Sequence, residues 1–327
     1  MTVKGAVIGG GFMGKTHLGA YRNHRDARIE WIFDTRPETA VAIGREFQVQ
    51  PATDFAAILN SDIDFVDICL PTYLHKEFIL KAAAAGKNIL CEKPLTMTDA
   101  DAAEIETAVR RAGVRMMVAH VIRFWPEYMY AQQLTRSKAL GEPIAAMAIR
   151  VQQPVKWSAG GWLLNPSLSL GAVVDLQIHD LDFFRWLFGN PVSIRAIGRQ
   201  SATGGWDHII ALLHYNNGLS VSTEASTMMP EGYPFTAGFR ILYTNGCLEF
   251  EPHRQPALRQ WESGREVIYP QLEAGDGYQN EIDYFIDCLQ NRRDPETVTL
   301  HEAAESLRLA LKCKESLDRD REVKWDE

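Results

Sequence analysis

Three groups of residues in this sequence have the types and spacing to do chemistry. The first is Gly9-x-Gly11-x-x-Gly14, which follows the apolar run Ala6-Val7-Ile8 and opens a helical stretch from Lys15 to Tyr21. A glycine turn between a strand and a helix suits a dinucleotide. One glycine makes the turn, another admits the pyrophosphate, the third lets helix pack on strand, and the helix N-terminus offers unpaired N–H groups. Phe12 and Met13 lie inside this motif and join the candidate cofactor-binding set. Asp34 ends the second apolar run, 20 residues beyond Gly14, where a carboxylate can accept both ribose hydroxyls. Its charge repels a 2′-phosphate and favours NAD. Arg36, two residues on, could cover an adenine or meet a 2′-phosphate, so NADP stays open.

The second group is Glu92-Lys93-Pro94, at the end of the fourth apolar run. In a doubly wound sheet that edge binds ligands, and the proline restricts Lys93 to an extended backbone. A solvated Glu–Lys pair is the plain alternative. Leu70-Pro71-Thr72 with His75 occupies the matching end of the third run and is expected to line the same crevice, although His75 could equally pack locally at a helix start. The third group is Asp175, His179 and Asp182, spaced i, i+4 and i+7 on one face of a helix. Histidine suits acid/base work near neutral pH, and a neighbouring carboxylate can orient it; a surface Asp–His contact is the competing reading. Gly160-Gly161-Trp162 before it looks like a loop able to cover a site.

Two rhythms position these groups. From residue 1 to about 122, the apolar runs Gly5 to Ile8, Ile29 to Phe33, Phe65 to Leu70, Asn88 to Cys91 and Val114 to Ala119 alternate with helical stretches. Among the latter, Pro37 to Phe47, Leu74 to Ala85 and Thr98 to Ala112 are the clearest, and the pattern indicates βαβ units around a parallel sheet. Beyond about residue 142, six strand-like runs follow one another, with Asn217-Gly218 and Asn245-Gly246 as hairpin signals. One long helix, about Gly171 to Phe188, interrupts them, and helices over Tyr278 to Gln290 and Leu300 to Leu317 close the chain. The expectation is an α/β Rossmann domain with a doubly wound parallel sheet over residues 1–122. An α+β domain with a large open, mostly antiparallel sheet follows over 123–327, its last helices able to pack back on the first.

Composition removes other classes. The 327 residues carry 34 Lys+Arg against 42 Asp+Glu, a net charge of −8, which argues against binding nucleic acid through phosphate neutralisation. The longest uncharged stretch, Trp157 to Val174, is too rich in Gly, Ser, Asn and Pro to span a bilayer. The strand pattern begins at about Val3, so no signal peptide is expected. Five scattered cysteines without C-x-x-C spacing fit free thiols in a reducing cytoplasm and offer no metal site.

Taken in order, GGGFMG, Pro71-Thr72…His75, Glu92-Lys93-Pro94 and Gly171…Asp175-x-x-x-His179-x-x-Asp182 resemble the Gfo/Idh/MocA oxidoreductases over nearly the whole chain. The resemblance implies a nicotinamide cofactor, a sugar-like or cyclitol-like polyol and a homodimer or homotetramer built on the open sheet. By position it makes Lys93 the lysine near the reacting oxygen and Asp175 and His179 the acid/base pair. Arg123, Phe124 and Pro126 match an R-F-x-P segment at the domain junction. His120, Arg123 and Trp162 join Lys93, Asp175 and His179 as expected substrate contacts. Departures are Ser169-Leu170-Gly171 in place of a glycine cluster, Gln177 where a small residue is usual, and His120 where Asn is frequent. An NAD-dependent glycoside hydrolase and a non-catalytic dinucleotide-binding regulator are the alternative functions.

Overall fold

A computed structural model describes residues 2–156 and 158–327. The first part of the chain runs β1 (Val3–Ile8), α1 (Phe12–Tyr21), β2 (Ala27–Phe33), α2 (Pro37–Phe47), β3 (Gln50–Ala52), α3 (Phe55–Leu59), β4 (Phe65–Ile68), α4 (Thr72–Ala84), β5 (Asn88–Glu92), α5 (Asp99–Ala112) and β6 (Met116–Ala119). These strands form one parallel sheet in the order β3-β2-β1-β4-β5-β6. The order reverses direction between β1 and β4, which makes the ends of those strands the switch point where ligands bind such sheets. β4 and β6 are buried along their whole length, as strands covered on both faces must be.

Local chemistry sets the helix ends. Thr98 caps α5 by accepting the Asp101 N–H at 3.1 Å, Asp99 and Asp101 sit in its positive first turn, and Gly113 ends it at φ +67°. Pro37 starts α2, where its missing N–H costs nothing.

The remainder runs α6 (Pro126–Ser137), β7 (Pro143–Val151), α7 (Pro166–Ser169), α8 (Ala172–Asp175), α9 (Ile178–Phe188), β8 (Ser193–Gln200), β9 (Trp206–His214), β10 (Ser220–Ser226), β11 (Thr236–Tyr243), β12 (Gly246–Phe250), β13 (Leu258–Glu262), α10 (Gly277–Gln290), α11 (Leu300–Arg319) and β14 (Val323–Lys324). Its strands form an eight-stranded sheet ordered β13-β12-β11-β7-β10-β9-β8-β14, antiparallel except between β7 and β10.

The chain divides into two compact units, Met1–Phe124 with Trp157–Gly160 and Gly275–Glu305, and Trp125–Lys156 with Gly161–Ala274 and Ser306–Glu327. The first unit therefore takes in α10, a helix that sequence order puts with the second sheet. Phe285 of α10 meets Phe65 of β4 edge-on, with ring centroids 5.7 Å apart. In the second unit, Tyr128, Phe183 and Phe239 form an aromatic core with centroids 4.8 to 5.0 Å apart. Beside it, the buried Arg150 donates to both carboxylate oxygens of Asp180 at 2.9 Å, tying β7 to α9.

Three sequence expectations change. The helix over Gly171 to Phe188 is broken in two. Gln177 N–H reaches back five residues to Ala172 C=O at 2.8 Å, and α9 starts afresh behind it. Tyr243 pairs directly with Gly246, so the two-residue hairpin loop is Thr244-Asn245 rather than Asn245-Gly246. The other hairpin pairs His214 with Ser220, and within its longer loop only Gly218 takes positive φ. Trp157, first residue of the uncharged stretch, lies outside the described residues. No helix among those described is long and apolar enough to cross a membrane.

Candidate active site

The glycine motif fulfils three distinct steric demands. Gly9 turns the chain at φ +112°, and a Cβ there would lie 2.6 Å from Cys69 O. A Cβ on Gly14 would fall 1.8 Å from Gly9 O, so only glycine lets α1 sit this close to β1. Gly11 differs: a Cβ there would meet nothing within 4 Å. The chain's own packing does not require glycine at that position. The open space stands over the start of α1, whose N-cap residue Gly11 supplies no side-chain cap. A pyrophosphate fits such a cradle, drawn by first-turn N–H groups. Phe12 is exposed and Met13 half-buried beside it.

Asp34, buried just after β2, is fixed by the loop it faces. Its Oδ2 accepts the Gly10 N–H at 2.8 Å, and its Oδ1 accepts the Arg36 N–H at 2.9 Å. The exposed Arg36 guanidinium stands 3.4 Å from the same oxygen. Gly10, which the motif leaves as a free position, therefore couples the ribose-side carboxylate to the phosphate turn.

At the ends of β4 and β5 the side chains mostly hold backbone. Leu70 and Thr72 are buried and Pro71 half-buried at the start of α4. His75 is buried, with Nε2 2.7 Å from Leu70 O and Nδ1 2.9 Å from Pro94 O. Burial pushes its pKa down, against the pull of those carbonyls. Its ring ties two strand-end loops together. Lys93 is half-buried, the first residue beyond β5, and its N–H donates to Glu92 Oε2 at 3.0 Å.

Behind Lys93 lies a buried ionisable cluster that sequence reasoning missed. His17 on α1 has Nδ1 2.9 Å from Asp67 Oδ2 and Nε2 3.2 Å from Glu92 Oε1. Burial opposes charge on His17, and Asp67 overrides it, holding the ring well above the ordinary histidine range. Burial likewise works against the Glu92 charge, but His17 keeps its carboxyl below the usual range. Cys69 donates its thiol toward Asp67 at 3.4 Å, and burial pushes that thiol up. Glu281 of α10 is fully buried and has no hydrogen-bond partner for either oxygen among the described residues, so burial raises its carboxyl well above the usual range. One signal was available in the sequence: Asp67 is a lone charge inside the apolar run Phe65 to Leu70.

In the second unit, Asp175 ends α8 and His179 lies in the first turn of α9. Both are half-buried, while Val174, Leu176, Gln177, Ile178 and Asp180 around them are buried. Between them Gln177 donates to Thr223 Oγ1 at 3.0 Å, which anchors the break to β10. Asp182 is fully buried and accepts from Ser306 Oγ at 2.6 Å, and Arg185 donates to that same hydroxyl at 3.0 Å. Asp182 is thus an internal tie to α11. Trp162 is half-buried in a short turn over Ala159–Leu164.

Arg123, expected at the substrate, has internal partners. It is 1% exposed, and its guanidinium donates to Thr297 O at 2.8 Å and pairs with Glu302. A charge this deeply buried needs partners, and these contacts tie Arg123 to residues 297–302. His120 is also buried, at the end of β6.

Residues 3–120 match the model of an oxidoreductase family with an NAD-binding Rossmann fold, and residues 128–249 match the Gfo/Idh/MocA C-terminal domain. The chain is 33% identical over 316 residues to D-apiose dehydrogenase of Paraburkholderia graminis, covering 90% of this chain and 82% of that protein. It is 28% identical over 306 residues to inositol 2-dehydrogenase of Rhizobium meliloti, covering 89% of each. A levoglucosan dehydrogenase solved with NADH and levoglucosan shares the fold at a TM-score of 0.89 and 22% identity, over 100% of both chains. With the glycine cradle, the Glu92-Lys93 turn and the Asp175…His179 corner in place, the chain belongs to the Gfo/Idh/MocA family of NAD-binding oxidoreductases.

Proposed function

We propose that this enzyme is a polyol or sugar dehydrogenase, moving a hydride between NAD and a secondary alcohol or ketone. The observation that carries this reading is the break at Gln177, which leaves an aspartate and a histidine half-buried where every neighbour from Val174 to Asp180 is buried. That is the exposure acid/base groups need. Bound NAD supplies the hydride acceptor. His179 takes the hydroxyl proton in oxidation and returns it in reduction, and Asp175 orients and steadies the imidazolium. Lys93 hydrogen-bonds the reacting oxygen as charge develops. Asp34 favours NAD over NADP, since a 2′-phosphate would meet its carboxylate. The D-apiose and inositol relatives support a polyol substrate and do not favour the hydrolase or regulator readings.

Lys93→Ala and His179→Ala are each expected to lower kcat about 10²- to 10⁴-fold while NADH affinity stays near wild type. Unchanged kcat in both variants would refute these roles. The assay probes are D-apiose, levoglucosan and myo-inositol, with NADH followed by absorbance.

The open sheet supports a homo-oligomer. Met147, Ile197, Ile210, Leu212 and Leu242 expose 36% or more of their surface on its strands. The registers pair Ser222 with Met147 on one side and Leu212 on the other, and Ile210 with Ile197, on one face. A second copy of this chain covers that face; Met147→Glu with Leu212→Glu should convert the oligomer to monomer in sedimentation. The free state of all five cysteines fits a reducing cytoplasm.

A further inference from the structure

We infer that His17 is a positioning residue for Lys93, acting through Glu92; the inference rests on the role proposed for Lys93. Lys93 is the first residue off β5, so nothing in the sheet ladder fixes its direction. Its neighbours are held instead. On one side, Glu92 Oε2 accepts the Lys93 N–H at 3.0 Å, while Glu92 Oε1 lies 3.2 Å from His17 Nε2. On the other, His75 Nδ1 lies 2.9 Å from Pro94 O. His17 is itself aimed by Asp67, 2.9 Å from Nδ1 and also fully buried.

Asp67 Oδ2 is hydrogen-bonded to His17 Nδ1, Glu92 Oε1 faces His17 Nε2 at 3.2 Å as an ion pair without hydrogen-bond alignment, and Glu92 Oε2 accepts the Lys93 N–H, so the four form one electrostatically linked chain. An imidazole flanked by carboxylates at both nitrogens is held in its doubly protonated form, and the high pKa of His17 agrees with this geometry. An ionised Glu92 is then purely an acceptor, so its second oxygen stays available to the Lys93 N–H. His17 stands on the helix whose N-terminus forms the pyrophosphate cradle, three residues beyond Gly14. One rigid helix thus serves cofactor binding at its start and aims the lysine turn from its second turn. A misplaced catalytic group costs rate while leaving cofactor affinity intact.

The test compares His17→Asn, which keeps an amide toward Asp67 and loses reach to Glu92, with His17→Gln, whose amide can approach the Nε2 position. Kinetics use D-apiose, levoglucosan and myo-inositol, and NADH affinity is read by fluorescence. His17→Asn is expected to lower kcat about 10²-fold with NADH affinity and KM near wild type, and His17→Gln to recover part of the loss. In a Lys93→Ala background, His17→Asn should add nothing. Full kcat in His17→Asn, or an additive loss in the double variant, overturns the inference. If His17→Asn does not fold, Glu92→Gln keeps the volume and should show the same kcat loss. Crystal structures of wild type and His17→Asn give a readout independent of turnover. A Glu92-Lys93-Pro94 turn that does not move overturns the positioning role. Full turnover in Lys93→Ala alone overturns instead the catalytic role of Lys93.

Discussion

At the scale of single residues, the proposed choice of cofactor turns on one carboxylate. Asp34 is buried and already accepts two backbone N–H groups, so its orientation is set before any ligand arrives. Preset acceptors of this kind gain from a ribose diol and lose from a 2′-phosphate. Asp34→Ala should therefore weaken NAD binding while leaving NADP binding equal or stronger, checked by titrating both reduced cofactors. Equal loss for both would contradict the ribose assignment, and would mean that Asp34 matters only as the anchor of the Gly10 turn. Arg36 does not oppose this choice in the present arrangement, because its guanidinium already rests against Asp34.

At the scale of elements, the start of α1 shows which glycines serve the fold and which serve the ligand. Gly9 and Gly14 are demanded by contacts inside the chain, whereas the space above Gly11 is empty. Gly11→Ala should leave the melting temperature without cofactor within a degree or two of wild type, and raise the Kd for NADH at least tenfold. A marked loss of stability, or unaltered NADH affinity, would count against an open cradle. This motif and the Glu92-Lys93-Pro94 turn were legible in the sequence because each is a local pattern, whereas the helical spacing that singled out Asp175 and His179 gives way to two helices, one residue on each. The His17–Asp67 pair was not legible, since its partners are 50 positions apart and meet only once α1 packs on β4. The Arg123 ion pair was hidden for the same reason: its partner Glu302 lies on α11, and only the fold brings the two together. The parallel sheet of the first unit was legible from its βαβ rhythm, though its strand order was not. The parallel β7–β10 pair, β13 and the break at Gln177 were not, because sheet neighbours and π-type turns leave no period to read.

At the scale of the whole molecule, stability should depend on pH through the buried cluster in the first unit. Glu281 has its folded pKa above its unfolded value, so in acid, where it is neutral in both states, no charge has to be buried. Above the ordinary carboxyl range the unfolded chain releases this proton and the folded chain keeps it. Stability then falls with rising pH, by about 1.4 kcal/mol per pH unit, until the folded pKa is passed. His17 acts in the same direction: its contribution is complete below the ordinary histidine range and is lost as pH rises through its elevated folded value. Glu281→Gln should flatten the decline in melting temperature from mildly acid to mildly alkaline pH; curves parallel to wild type would contradict it. The first unit carries the dinucleotide cradle and Lys93, and the second carries Asp175 and His179. The most direct measurement is to supply polyols deuterated at the carbinol carbons, with NAD, and follow both products. The account predicts one equivalent of deuterated NADH for each equivalent of ketone formed. Consumption of a sugar with no accumulation of NADH, or NAD binding with no turnover of any polyol or sugar, would contradict it.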